Sequence, residues 1–296
     1  LGMLIIDESG QAVPQSALGA IYRTRRAVVV GDPLQVEPVV TIPKVLIDIL
    51  ADSTCVANEY KVIENSAQTF ADNINEFSGM IGERQVGCPL VVHRRCIEPM
   101  FSISNLISYD NRMFNKTHKK EDYLKQEQPF LIKKSGWINV EGTENGSKDH
   151  FVKNQAERVC QLMQDAVYIY SDLFETDDKI FIITPFRTVA ESMRKFVIGY
   201  FSVKGYDKEM LTKWTKNCVG TVHTFQGKDA NEVFFVLGCS DKSVGAMNWV
   251  VKKANILNVA CTRAKYRIAF IGNLNDWKNR RYFREFIPKF IDTIDA

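Results

Sequence analysis

Seven short apolar runs, most of them rich in β-branched residues and closed by glycine or polar residues, limit how this chain can fold. They lie at residues 3–6, 27–30, 90–92, 180–183, 219–222, 233–237 and 268–271. Runs this short and this uniformly apolar read as strands buried on both faces, the kind found in parallel sheets. Helical periodicities fall between them at 97–108, 153–174, 189–201 and 251–264. Strands alternating with helices predict an α/β fold: parallel sheets flanked by helices, with functional residues at the carboxyl ends of the strands. Residues 110–136 are polar, lysine-rich and weakly periodic, which predicts a surface excursion, and the Gly/Asn/Glu-rich stretch 139–149 predicts a loop.

A length of 296 residues, 45% of them hydrophobic, suggests about two domains. The net charge of +3 creates no general basic field, so any nucleic-acid surface must be local. Cys55, Cys88, Cys96, Cys160, Cys218, Cys239 and Cys261 are odd in number and never spaced C-x-x-C. That pattern argues against a zinc site or a disulfide framework and predicts a reducing, cytoplasmic setting. No apolar run approaches the roughly 18 residues of a membrane span, so no membrane partner is expected. The chain starts at Leu1 and enters a core-like strand at once, which reads as an excerpt of a longer chain.

Two of the apolar runs end in groups suited to phosphate chemistry. Leu4-Ile5-Ile6 leads into Asp7-Glu8-Ser9-Gly10-Gln11, and Val28-Val29-Val30 leads into Gly31-Asp32-Pro33-Leu34-Gln35. One carboxylate of an adjacent pair can bind Mg²⁺ while the other polarises an attacking water. An amide such as Gln35 can both donate to and accept from a phosphate site. Taken singly, each segment is also an ordinary strand end or turn.

Together with the motifs downstream, the pair resembles superfamily 1 helicases, through the Walker B pattern D-E-A/S-x-Q and the G-D-P-x-Q motif. The resemblance implies that Asp7 is the Mg²⁺ ligand, Glu8 the general base and Gln35 the γ-phosphate contact, with Gln11 supporting the same site. Val91-Val92-His93-Arg94-Arg95-Cys96-Ile97-Glu98-Pro99 is similar to motif IV, and Arg95 stands where the family places an arginine finger, with Arg94 beside it as the alternative. Thr184-Pro185-Phe186 resembles the strand-end segment that contacts single-stranded nucleic acid. There a hydroxyl can hold a phosphate and an aromatic ring can offer a stacking face. Gly220 to Val233 resembles motif V over its whole length, implying phosphate contacts from Thr221, His223 and Thr224. Gln226 and Gly227 would line the nucleotide cleft, and Asp229, in the place of the usual glutamate, would take a ribose hydroxyl. Asn258-Val259-Ala260-Cys261-Thr262-Arg263-Ala264-Lys265 resembles motif VI, which makes Arg263 the second finger.

The resemblance implies a RecA-like P-loop NTPase fold, with residues 1–87 forming the C-terminal part of one RecA-like domain and 88–296 a second. It also implies ATP and Mg²⁺ as cofactors, hydrolysis in the cleft between the two domains, and movement on single-stranded DNA or RNA. The short spacing between the G-D-P-x-Q motif and motif IV is similar to the 5′→3′ branch typified by nonsense-decay helicases. No G-x-x-x-x-G-K-[ST] loop occurs, since Gly227-Lys228 lacks the glycine at Val222 and the hydroxyl at Asp229. The expectation is therefore that this chain alone neither hydrolyses ATP nor binds it tightly. Residues 1–87 are further expected to expose a strand edge or apolar face, inviting dimerisation or poor order. The alternative is a non-catalytic module that holds nucleic acid or a protein partner.

Overall fold

Phe234 and Phe235, both fully buried, mark the centre of a six-stranded sheet. In the computed structural model, residues 2–294 are described apart from 58–59, 62, 64, 82–83, 118–129, 145 and 147–148. They form two compact units, Leu1–Val91 and Val92–Ala296.

The first unit contains β1 (Leu4–Ile6), α1 (Pro14–Tyr22), β2 (Ala27–Val29), α2 (Lys44–Ser53), α3 (Ala67–Ile74) and the strands β3 (Gly79–Ile81) and β4 (Arg84–Val86). β1 and β2 pair in parallel with Ile5 opposite Val28, while β3 and β4 pair antiparallel. Pro14 opens α1, where its fixed φ and missing N–H suit a first turn. Ser66 and Thr69 cap α3 reciprocally, each hydroxyl accepting the other's backbone N–H. The expectation of strands buried on both faces fails here. Ile5 is 67% exposed and Val28 43%, because among the described residues this sheet has two strands, with α1 against β1 and α3 against β2. Leu18, Ile21 and Tyr22 of α1 are exposed as well, so this unit presents apolar side chains to solvent, as the sequence leads one to expect.

The second unit begins with β5 (Val92–His93), α4 (Met100–Ser108), β6 (Phe114–Asn115), β7 (Gly136–Asn139) and α5 (Lys153–Ile169). It continues through β8 (Ile180–Thr184), α6 (Arg187–Ser202), α7 (Lys208–Cys218), β9 (Val219–Thr221) and β10 (Ala230–Val236). It ends with α8 (Val244–Val250), α9 (Asn255–Arg263), β11 (Ala264–Gly272), α10 (Leu274–Trp277), α11 (Phe283–Phe290) and β12 (Asp292–Thr293). The main sheet runs β12-β7-β11-β10-β8-β9 and every pairing in it is parallel. Phe234 pairs with Ile182 on one side and Ala269 on the other, so the expected buried strands 180–183, 233–237 and 268–271 are direct neighbours. No described helix is long and apolar enough to cross a membrane.

Two expectations need correction. The run 90–92 is not a buried strand: Leu90 is 79% exposed, and among the described residues β5 pairs with the two-residue β6 alone. The segment 110–136 is not all surface, because Thr117, Ile132 and Ser135 are buried, although residues 118–129 lie outside the described ones. β7 follows directly and inserts beside β11, with Trp137 fully buried and stacked on Phe270 at 5.9 Å. Its four residues Gly-Trp-Ile-Asn carry too little periodicity to be read as a strand. What anchors the segment is Glu232 of β10, whose carboxylate accepts the N–H groups of Leu131 (3.0 Å) and Ile132 (2.6 Å) and the Tyr170 hydroxyl (2.7 Å).

Candidate functional site

At the carboxyl end of β1 the chain turns sharply. Glu8 adopts left-handed backbone geometry (φ 52°) and leads into the 3-10 turn Ser9–Gln11. Asp7 Oδ1 accepts the Glu8 N–H at 2.8 Å, and Glu8 Oε2 accepts from Gln11 Nε2 at 3.2 Å, with both carboxylates exposed. The turn after β2 is closed by Asp32, whose carboxylate accepts the Leu34 N–H (2.9 Å) and the Gln35 amide (3.0 Å). The two turns touch: a Cβ on Gly31 would lie 2.5 Å from the Gly10 nitrogen and 2.6 Å from Ser9 Oγ. Only glycine allows that approach. Buried Ser9 fixes the assembly to α3 by donating to Gln68 Oε1 at 2.6 Å, and Gln68 in turn donates to Asp72 at 2.9 Å. Asp7, Glu8, Gln11 and Gln35 thus stand on two interlocked strand ends. Two exposed carboxylates form a hard oxygen donor set that fits Mg²⁺, which takes one or two carboxylates and completes its shell with phosphates and water. Gln68 and Asp72 escape a reading of the sequence, and the paired glycines leave a trace only as Gly10 and Gly31 in the turns that follow the two strands.

In the second unit, the segments that resemble motifs IV, V and VI are tied into one piece. His93 Nε2 accepts the Cys96 N–H at 2.9 Å, closing the turn that leaves Arg94 exposed and Arg95 half-buried. Ile97 donates its N–H to the Lys265 carbonyl at 3.1 Å. Ser104 of α4 donates to Asn258 of α9 at 2.7 Å, and the Asn258 amide reaches the Tyr109 hydroxyl at 2.9 Å. Gly227, at φ 76°, makes the turn after Phe225 and half-buried Gln226, a conformation an L side chain would strain.

Arg263 and Asp229 have partners within these same segments. Arg263 is fully buried and donates to the carbonyls of Phe225 (3.2 Å) and Lys228 (3.1 Å), so its guanidinium braces the motif V turn. Asp229 pairs through Oδ1 with Lys265 at 2.8 Å, and both side chains stay partly exposed.

A cleft of about 480 Å³ opens at the carboxyl ends of β8 and β9. Its walls bring together Pro185, Phe186, Thr221, His223 and Thr224, and add Arg187 and Arg194 of α6 and Trp249 of α8, which the sequence reading missed. Arg194 is oriented by donating to the Val219 carbonyl at 2.8 Å, and Arg187 pairs with Glu191 at 2.9 Å. Thr184 does not reach the cleft: it is 1% exposed, with its hydroxyl near the Phe186 N–H. Phe186, expected to offer a stacking face, is 9% exposed and lies between His150 (4.8 Å) and Trp249 (5.8 Å). Desolvation pushes the His223 imidazole below its ordinary value. The shift favours the neutral imidazole, which can contribute a hydrogen bond.

Behind the cleft, Glu144, His150 and Cys239 place a carboxylate, an imidazole and a thiol within 4.8 Å of one another. The carboxylate already accepts from the Ser240 N–H (2.7 Å), the Ser243 hydroxyl (2.9 Å) and His150 Nδ1 (3.2 Å), so the cluster braces the loop before α8. All seven cysteines are free thiols and five are buried. Burial pushes the Cys160 thiol up to about 12, so it is no nucleophile.

The AAA domain family matches residues 77–275. Over 299 residues the chain is 24% identical to an uncharacterized ATP-dependent helicase of Methanocaldococcus jannaschii, covering 96% of this chain and 38% of that protein. It is 24% identical to the helicase sen1 of Schizosaccharomyces pombe, over 93% of this chain and 15% of that one. A shorter stretch, 32% of the chain, is 32% identical to the putative regulator of nonsense transcripts 1 of Takifugu rubripes, covering 8% of that protein. The chain thus spans well under half the length of each of these relatives.

Proposed function

The chain belongs to the AAA domain family and resembles superfamily 1 helicases of the nonsense-decay branch, and on that premise we propose that it is the ATPase portion of an ATP-dependent helicase or translocase that moves on single-stranded nucleic acid. The observation that carries this reading is the convergence of Pro185, Phe186, Thr221, His223 and Thr224, distant in sequence, on one cleft at the strand ends of a parallel sheet. Residues 1–87 belong to one RecA-like domain and 88–296 to a second. Asp7 would hold Mg²⁺, Glu8 would draw a proton from the attacking water, Gln35 would contact the γ-phosphate, and Gln11, which donates to Glu8 Oε2, would orient that carboxylate. Arg95 neutralises charge on the transferring phosphoryl group. Gln226 and Gly227 line the nucleotide site, and Arg263 acts through the turn that carries them. Bound ATP·Mg²⁺ supplies the leaving group and the charge that these residues respond to. The setting is cytoplasmic, and the exposed face of β1, β2 and α1 supports self-association, which sedimentation velocity over a range of concentrations tests.

The direct test uses fluorescence anisotropy with labelled twenty-nucleotide single strands of DNA and RNA. Saturable binding that weakens with salt is expected; the absence of binding to both strands at low salt would remove the nucleic-acid reading. ATP turnover by the chain alone is expected to be undetectable with or without the strand, and strand-stimulated phosphate release would overturn that part.

A further inference from the structure

Trp249 is the one tryptophan of the chain that faces outward. Trp137, Trp214 and Trp277 are 0–2% exposed, whereas Trp249 is 51% exposed and lies on the wall of the 480 Å³ cleft. An indole joins a broad apolar face to a polar edge, which is why tryptophan is enriched where a protein surface takes a partner. This one is also held still. On either side of it in α8, Met247 and Val250 are buried, Asn248 accepts from Arg280 at 2.6 Å, and Ser243 just before the helix donates to Glu144. The ring leans on Phe186 at 5.8 Å and 36°, and Phe186 rests on His150 at 4.8 Å. Glu144, which binds both Ser243 and His150, supports the indole from two directions.

Such a ring can receive a flat ligand at little entropic cost, because the protein has already fixed it. The rest of the cleft indicates which flat ligand. Arg187 and Arg194 outnumber the single carboxylate of Glu191, and Thr221 and Thr224 add hydroxyls. Cationic and hydroxyl groups beside one exposed aromatic face form the pairing that takes a phosphodiester and its base.

We propose that Trp249 is the base-stacking platform of this cleft: one nucleobase of a single strand lies on the indole while its flanking phosphates meet Arg187, Arg194 and the two threonines. The stacking face that the sequence assigns to Phe186 thus belongs to Trp249, with Phe186 as its buried backing. Stacking accepts any base, so the contact holds the strand without reading its sequence.

The inference rests on the nucleic-acid reading above, and the experiment separates the two. Intrinsic fluorescence is followed while a twenty-nucleotide oligothymidylate, its uridylate counterpart and an abasic strand of equal length are titrated into the chain; anisotropy of labelled strands gives the affinities. Base-bearing strands are expected to quench emission, and the abasic strand to bind more weakly and leave emission unchanged. Trp249→Ala is expected to weaken binding of base-bearing strands by about 5–150-fold while hardly altering the abasic affinity, and Trp249→Phe to restore most of the loss. An unchanged thermal midpoint in both variants is expected and shows that the fold is intact. If base-bearing and abasic strands bind the wild type equally and Trp249→Ala leaves both affinities alone, stacking is overturned while the nucleic-acid reading stands. If no strand binds, both fall.

Discussion

Arg95 and Arg263 look equivalent as residues, each an arginine in a family motif, but their surroundings give them different jobs. Arg95 is half-buried on a turn, whereas Arg263 is fully buried against the Phe225 and Lys228 carbonyls. Arg263→Ala is therefore expected to lower the unfolding free energy by roughly 3 kcal/mol, through lost charged hydrogen bonds and the void left behind. Arg95→Ala should change it by about 1 kcal/mol or less. Urea unfolding of the two variants tests this, and equal losses would refute the division of roles. The motif spacing made both residues visible in the sequence. Burial was not visible, because an arginine beside alanine and threonine on a helix carries no sign of which way it faces.

At the level of elements, two buried carboxylates hold segments whose own sequences are weakly structured. Glu232 ties residues 131–132 to β10, and burial raises its carboxyl above the ordinary value against the opposing hydrogen bonds from Tyr170, Ile132 and Leu131. In Glu232→Gln an NH₂ group replaces one acceptor and faces a backbone N–H, so a loss of about 1–3 kcal/mol in urea unfolding is expected. An unchanged midpoint would refute the anchor. At Glu144 the balance runs the other way. Burial pushes its carboxyl up, but the Ser240 N–H, the Ser243 hydroxyl and His150 outweigh it and hold it below 4.5. A depressed carboxyl contributes stability that is present above its unfolded value and is lost as pH falls through the folded one. The stability gap between wild type and Glu144→Gln should therefore be full at neutral pH and close progressively below about pH 4.5, as followed by unfolding across a pH series. A gap independent of pH would contradict it. The strands 180–183, 233–237 and 268–271 were legible because burial on both faces writes an unbroken apolar run. β7 was not: a four-residue edge of the pattern becomes a strand only when β11 offers Phe270 to Trp137.

For the molecule as a whole, the net charge of +3 gives little long-range attraction, so strand binding must come from local groups. Two guanidinium groups, Arg187 and Arg194, face the cleft, and log K should fall with log salt at a slope of about −1.4 for a single strand. Arg187→Ala should make the slope shallower by about 0.7, measured by anisotropy at several salt concentrations. A much steeper wild-type slope would mean that the strand is held mainly elsewhere. The linear order of residues dictates the α/β class, the strand ends and the chemistry gathered at them, because apolar runs and acidic, amide and arginine motifs are properties of neighbouring residues. Tertiary packing alone decides that Arg263 turns inward, that Asp229 pairs with Lys265, that Thr184 is covered, and that Trp249 lines the same cleft as Thr221 and Thr224. Each of these depends on which side chains, far apart in sequence, compete for the same buried space or the same hydrogen bond.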